Sequence, residues 1–464
     1  MPRFLISATH KSSGKTTLAI GICAALTAKG VTVQPFKKGP DYIDPLWLSQ
    51  ASQRSCYNLD PYLMNPQEII NSVAQYPADL RLIEGNHGLF DGMDLEGSNS
   101  NAALARLLNT PVVLVVDAQG LARGIAPLLL GYQTFERDVQ IAGVILNKVA
   151  GQRHESKLRA SVERYTDLPV LGAIHRNTGL EIAERHLGLM PSNEDEHAQT
   201  KINEIAQHVS EHIDLNALLD IARQAPSLPT TINLEVSDNS VADVKIGIIR
   251  DAAFGFYYPS DLEALQKAGA ELVFINALYD VQLPTLDGLF IGGGFPEIQM
   301  EKLANNITFK QSVRLAIEQA MPVYAECGGL MYLARQLTWQ EKTCTMVGAL
   351  PFDIAMNARP QGRGYVHLRE TGKGLWSLQD VQGVSAEFYA HEFHYSNVLN
   401  LPTHLPFAYE VLRGSGLDGK QDGIIYKNTL ACYVHLRDVE NNRWAKRFVD
   451  FVRHHKYSVL KSER

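Results

Sequence analysis

No stretch of the 464-residue chain runs apolar for the ~18 residues that a membrane-crossing helix needs, which excludes a helical membrane protein. The N-terminus has no basic segment followed by a long apolar one, so it does not read as a secretory signal. Cysteine is scarce. Its five residues (Cys23, Cys56, Cys327, Cys344 and Cys432) are widely spaced and form no C-x-x-C pair. That argues against a zinc site or a disulfide framework and suits a reducing cytoplasm. Basic excess is also lacking: 43 Lys and Arg stand against 50 Asp and Glu, for a net charge of −7. No nucleic-acid surface dominates, and an anionic ligand must be met by a local cluster of cations. There is no internal repeat and no low-complexity tract. The remainder, 45% hydrophobic and 20% charged, is the profile of ordinary soluble domains.

Short apolar runs at 3–8, 31–36, 80–84, 111–117, 140–147 and 168–174 alternate with helical stretches. The runs at 111–116 and 141–146 are almost wholly Val, Ile and Leu, as strands buried on both faces are. This alternation predicts an α/β domain with a parallel sheet over 1–222. Residues 223–243, with two prolines and many small polar residues, read as a linker. A second α/β domain spans 244–455, with strands near 244–249, 271–275, 287–291, 321–325, 408–412 and 430–434, and 456–464 reads as a tail.

Residues 7–17 read S-A-T-H-K-S-S-G-K-T-T, between the first strand and a helical run. A loop here aims backbone N–H groups at phosphates around Gly14. Lys15 would reach the β/γ-phosphates, Thr16 would hold Mg²⁺, and Lys11 and Thr17 would complete an ATP site. Thr9 stands where the usual pattern has its first glycine. Lys11 marks a P-loop subclass that includes dethiobiotin synthetase and the MinD-type ATPases. Glu84 ends the strand L-R-L-I-E, and Asp41 and Asp44 lie in K-K-G-P-D-Y-I-D-P. Carboxylates at the C-terminal ends of parallel strands face the ligand crevice and suit a metal. Asn147 and Lys148 follow another strand and are candidates to contact the base.

In the second domain Cys327 sits in Y-A-E-C-G-G-L, where a short strand turns into a helix. The positive end of that helix is expected to lower the thiol's pKa. The glycine triplet Gly292–Gly294 ends another strand. With Gly328, Gly293 and Gly294 can offer backbone N–H groups to an oxyanion. A late strand, A-C-Y-V-H-L, delivers His435. A Cys/His pair on two strands of one sheet is the arrangement for thiolate attack on an amide. His391 and His394, in A-H-E-F-H-Y-S, compete for the role of base.

These motifs, in this order across nearly the whole length, resemble the cobyrinic acid a,c-diamide synthases. The resemblance implies a dethiobiotin-synthetase-like ATP-binding domain joined to a class I glutamine amidotransferase domain. It implies ATP- and Mg²⁺-dependent amidation of the a and c acetates of a polycarboxylate tetrapyrrole, with L-glutamine as nitrogen donor. Cys327 would be the nucleophile and His435 its base. Lys15, Thr16, Asp41 and Glu84 would bind ATP–Mg²⁺ or the reacting carboxylate. Tyr42, Asp44 and His87 would lie near the macrocycle, and Lys37, Lys38, Arg359 and Arg363 are candidates to meet its carboxylates. Ammonia would have to cross between the halves shielded from water. No nucleic acid or membrane is expected as a partner, and the choice between monomer and homodimer stays open.

Two departures stand out. The position two after His435, usually glutamate in class I enzymes, is Arg437, which suggests a Cys–His dyad. Asn86 and His87 replace an apolar pair in E-G-N-H-G-L-F-D-G, which suggests another macrocycle, such as sirohaem, sirohydrochlorin or a nickel derivative. A reading of a different class, a MinD-type nucleotide-switched binding protein, would need no glutaminase.

Overall fold

The apolar runs of the N-terminal half become strands because each is buried on both faces. The computed structural model describes residues 1–185, 188–228, 242–378 and 386–462. The chain divides into two units, Met1–Asn233 and Leu234–Arg464. Most of the expected linker, 229–241, lies outside the described residues.

In the first unit β1 (Arg3–Ala8), β2 (Val33–Lys38), β3 (Tyr57–Leu59), β4 (Leu80–Glu84), β5 (Val112–Asp117), β6 (Ile141–Val149) and β7 (Val170–His175) form one sheet. Their order is β3-β2-β4-β1-β5-β6-β7, and every neighbouring pair is parallel. A small hairpin, β8 (Glu184–Arg185) with β9 (Gly188–Leu189), follows. β2 starts two residues later than the apolar pattern suggests and ends on two lysines. Both Lys37 and Lys38 are buried. The helix Lys15–Ala28 leaves β1 through the phosphate loop and packs closely on the helix Ala198–His212. A methyl group at Gly21 would come within 2.4 Å of Val209.

The second unit carries β10 (Val244–Ile249), β11 (Ala270–Ile275), β12 (Gly288–Ile291), β13 (Val323–Glu326), β14 (Gln336–Trp339), β15 (Lys342–Thr345), β16 (Asp353–Met356), β17 (Gly362–Glu370), β18 (Glu387–His394), β19 (Ser396–Leu399), β20 (Phe407–Arg413), β21 (Gln421–Tyr426) and β22 (Thr429–Cys432). Nine of them form a mixed sheet, β11-β10-β12-β13-β22-β21-β20-β17-β18, and β15-β14-β16-β19 form a smaller one. The five strands from β11 to β22 are parallel. The rest of the large sheet is antiparallel.

Residues 456–462, expected as part of a tail over 456–464, belong to the helix Trp444–Ser462. Lys456 donates to the Asp243 carbonyl at 2.7 Å and to Asp287 at 2.9 Å. At the start of that helix Trp444 is fully buried. Its ring packs on Phe290 and Tyr324, with centroids 5.3 and 4.9 Å away, and its Nε1–H donates to Asp261 at 3.1 Å. Trp444→Ala should therefore cost about 3–5 kcal/mol through the cavity it leaves. Urea denaturation of the full chain should show the second unit's transition moving to lower urea while the first unit's stays in place.

Candidate active sites

Gly14 ends the phosphate loop in a left-handed conformation (φ 88°) and caps the helix Lys15–Ala28. No side chain fits there, since a Cβ would lie 2.2 Å from the Asn147 carboxamide. That carboxamide donates to the Ser13 carbonyl at 2.7 Å. Lys148 donates to the Ser12 carbonyl at 2.8 Å and pairs with Asp117 at 2.9 Å. Asn147 and Lys148 thus brace the loop by its carbonyls, a role that strand-end placement alone did not reveal. Lys11 is exposed on the loop, and Thr17 is half-buried at the helix start.

Behind the loop the Thr16 hydroxyl donates to Glu84 at 2.5 Å and lies 3.1 Å from Asp44. Lys37 reaches Asp44 at 2.5 Å, Glu84 at 3.0 Å and Asp41 at 3.9 Å. Asp41 also accepts from the N–H groups of Ile43 and Asp44. Burial works against the charge of Lys37, but Asp44, Glu84 and Asp41 outweigh it and raise its pKa. Burial raises Glu84, against the pull of Lys37. Lys37 is therefore not available to a macrocycle's carboxylates, contrary to the sequence expectation; its charge is spent on three carboxylates of the protein. Lys38 is also buried and bonds Asn86 at 3.1 Å. Tyr42 is buried beside Asp41, and His87 is exposed. Burial lowers the His87 imidazole first, then Lys11, Lys38 and Lys15. The group Thr16, Asp41, Asp44 and Glu84 offers only hard oxygen donors, the set that Mg²⁺ takes.

In the second unit β13 and β22 are adjacent and in register, with Glu326 opposite Cys432. The next residue, Cys327, has φ 47° and ψ −100°, a strained turn for a side chain, and its N–H donates to the Cys432 carbonyl at 2.8 Å. The thiol is 6% exposed and lies 3.9 Å from the Phe393 carbonyl. His435, three residues past β22, is 2% exposed. A Cβ on Gly293 would sit 2.6 Å from the His435 ring, and one on Gly328 would sit 3.0 Å from the Gly294 nitrogen. Cys327, His435, Gly293, Gly294 and Gly328 thus gather at the ends of β12, β13 and β22.

The expected dipole effect on the thiol does not prevail. The helix that follows has only six residues, Gly328–Leu333. Burial, with the Glu297 carboxylate next, pushes the Cys327 thiol well above its ordinary value despite the Gly328 N–H. Burial lowers His435 to about 3. Burial thus favours the neutral form of both the Cys327 thiol and the His435 imidazole.

His391 stacks on His435 with centroids 4.9 Å apart, whereas His394 stacks on Tyr433 at 3.9 Å and bonds the Ser396 carbonyl at 2.8 Å. Arg359 and Arg363 are exposed residues of the second unit, the latter over the Phe393 ring at 5.4 Å. Sequence reasoning passed over Glu326, whose carboxylate faces His435 at 3.4 Å, and Asp422, which accepts from the Tyr433 and Val434 N–H groups at 3.1 and 3.0 Å. The Glu before Cys327 is visible in the sequence, but only the strand pairing turns it toward the imidazole.

A phosphate loop on a parallel sheet, joined to a sheet that carries a cysteine turn beside a buried histidine, defines a nucleotide-binding domain linked to a glutamine amidotransferase domain. Family models agree with that class. Residues 4–189 match the CobQ/CobB/MinD/ParA nucleotide binding domain, and 245–442 match the CobB/CobQ-like glutamine amidotransferase domain. At full length the chain is 46% identical to cobyrinate a,c-diamide synthase of Magnetococcus marinus, over 96% of each chain. It is 40% identical to that of Archaeoglobus fulgidus, over 97% of each, and 38% to that of Methanosarcina barkeri, over 98% of this chain and 96% of the relative. The chain belongs to the cobyrinate a,c-diamide synthase family and is an ATP-using, glutamine-dependent amidoligase.

Burial lowers Lys15 to about 8, against the pull of Glu84. Its charge is present below that pH and lost above it, and nucleotide phosphates would restore it. ATP binding at about pH 9 should therefore take up about one proton, and at about pH 6 almost none. Titration calorimetry in two buffers of different ionisation enthalpy measures this; equal heats in both buffers at the higher pH would show that Lys15 stays charged.

Proposed function

We propose that the protein amidates the a and c acetate carboxylates of a tetrapyrrole, cobyrinic acid in the first place, with nitrogen drawn from L-glutamine and activation by ATP. The observation that carries this reading is the strained Cys327 turn beside His435 in a chain whose other unit holds a phosphate loop with Thr16 bonded to a carboxylate cluster. Family membership sets aside a nucleotide switch that lacks glutaminase activity.

A carboxylate does not condense with ammonia in water, because the departing oxygen is a poor leaving group. Transfer of the γ-phosphoryl group to the substrate carboxylate gives an acyl phosphate, which ammonia displaces as phosphate. In this reading Lys15 stabilises the charge in transfer, while Gly14 and the loop N–H groups hold the phosphates. Thr16, Asp41 and Glu84 would hold Mg²⁺, which supplies charge neutralisation at the phosphates when bound. In the other unit His435 takes the Cys327 proton, and the thiolate attacks the glutamine side-chain amide. The N–H groups near Gly293, Gly294 and Gly328 receive the oxyanion. Ammonia leaves, and water clears the thioester. Five free cysteines among the described residues suit a reducing cytoplasm.

A second reading concerns the macrocycle alone. Asn86 is held by Lys38 at 3.1 Å, and the exposed His87 lies among Lys11, Lys15 and Lys38. This polar corner beside the carboxylate cluster favours a macrocycle with a more polar edge, such as sirohydrochlorin or its metal forms.

Incubation with ATP, glutamine and each candidate tetrapyrrole, followed by mass analysis, separates the two readings. Each amidation exchanges OH for NH₂, and the substrate that gains two amides is the one used. Cys327→Ser should abolish product formation from glutamine while retaining it from free ammonium. Continued glutamine hydrolysis by that variant would overturn the assignment of the nucleophile.

A further inference from the structure

Class I amidotransferases place a carboxylate two residues after the histidine, and here that position is Arg437, buried with its guanidinium 4.6 Å above the ring of Tyr258. A carboxylate faces His435 all the same, and it comes from the nucleophile's own strand. Glu326 Oε2 lies 3.4 Å from His435 Nδ1, with the two side chains 4% and 3% exposed. The other oxygen is fixed: Oε1 accepts from the Tyr324 hydroxyl and from the Leu436 N–H at 2.8 Å. These two donors leave Oε2 turned to the imidazole. The next residue after His435 is thus tied to the residue just before Cys327, so one carboxyl group spans both reacting elements.

We propose that Glu326 is the positioning residue of the glutaminase, holding His435 as the Nδ1–H tautomer so that Nε2 carries the lone pair that takes the Cys327 proton. It replaces the carboxylate that the family pattern expects from the position of Arg437 and turns the apparent dyad into a triad of different chain order. The inference rests on the glutaminase reading of Cys327 and His435. The thiol proton moves to Nε2 while sulfur bonds the glutamine side-chain carbon. The C–N bond breaks, and the nitrogen leaves as ammonia with the proton from Nε2. Water then gives its proton to Nε2 and its hydroxyl to the acyl carbon, and the thiol takes that proton back as glutamate departs. Nδ1 keeps its hydrogen throughout, facing Oε2. Burial raises Glu326 to about 8, against the Tyr324 and Leu436 donors, so in the resting protein the ionised carboxylate that accepts from Nδ1–H is fully present only above that pH. An imidazolium at 3.4 Å pulls it down further, so the carboxylate's charge counts most in the step that charges His435.

Glu326→Gln keeps the shape and an oxygen for Tyr324 and Leu436 but removes the negative charge. In the full-length protein it should lower kcat for glutamine hydrolysis by about 100-fold or more, with KM within about twofold, and slow iodoacetamide alkylation of Cys327 at neutral pH in parallel. A kcat within about threefold of the unmodified protein overturns the proposal, as does a lost kcat with an unchanged alkylation rate. The tautomer is read without mutation from ¹⁵N-histidine resonances at about pH 9, where Glu326 is ionised, with His435 assigned by its loss in His435→Gln. Nδ1–H is expected, and Nε2–H overturns the proposal. An unmodified protein that hydrolyses no glutamine would overturn the glutaminase reading itself, whereas full activity in Glu326→Gln removes only the role of Glu326.

Discussion

One backbone hydrogen bond, from the Cys327 N–H to the Cys432 carbonyl at 2.8 Å, sets the geometry of the candidate glutaminase site. It closes the parallel ladder of β13 and β22 at the point where both strands end. Because the strands run the same way, the residues past their ends emerge on one side, and Cys327 and His435, more than a hundred positions apart, come to the same end of the sheet. Parallel pairing also explains the strain. To leave the ladder at once and enter the helix Gly328–Leu333, the chain must turn within one residue, and Cys327 takes the positive φ. A buried side chain fixes the other element: Asp422 accepts from the Tyr433 and Val434 N–H groups on the way to His435.

The nucleotide-binding unit solves a different problem, that of keeping carboxylates dry. Glu84 is fully buried at the end of β4, and charge there is costly unless it is paired. Lys37 supplies the pair from the neighbouring strand β2 and serves Asp44 and Asp41 as well. Thr16 adds a hydroxyl donor. Breaking a buried pair of this kind typically costs ~3–5 kcal/mol because the partner charge is stranded. The cluster is accordingly a fixed part of the fold, and it is aimed at the phosphate loop because β1 and β4 are neighbours in the sheet.

The sequence showed clearly whatever depends on local pattern. The Val-rich runs of β5 and β6, the Gly-Lys-Thr turn and the Glu-Cys-Gly-Gly turn are each legible within ten residues. The strands β14 to β19 were not, because they alternate polar and apolar residues in hairpins and carry little apolar signal of their own. β3, with three residues, is too short to show a period. The roles of Lys37 and Glu326 were missed for a deeper reason. Lys37 looked like a surface cation, yet β2 runs two residues past its apolar core and carries it inside. Glu326 drew no notice beside the cysteine because its partner is 109 positions away, and only the register of β13 with β22 brings them together. The thiol's pKa went the wrong way because a six-residue helix offers a weak dipole, and burial outweighs it.

At both sites burial weighs against charge on the groups proposed to act. Cys327 is held as a thiol and His435 as a neutral imidazole by the same burial, while Lys15 sits near the edge of losing its proton. A standing thiolate would be open to oxidation between turnovers. A neutral pair reacts only when a substrate supplies the amide carbonyl whose oxyanion the glycine N–H groups receive, so the cost of separating charge is met in the transition state. The same burial that makes the thiol quiet at rest also excludes the water that would screen the Glu326–imidazolium attraction once the proton moves. Desolvation is therefore both the barrier to idle turnover and the source of the electrostatic gain during turnover, and a variant that merely opened this pocket to water would lose both.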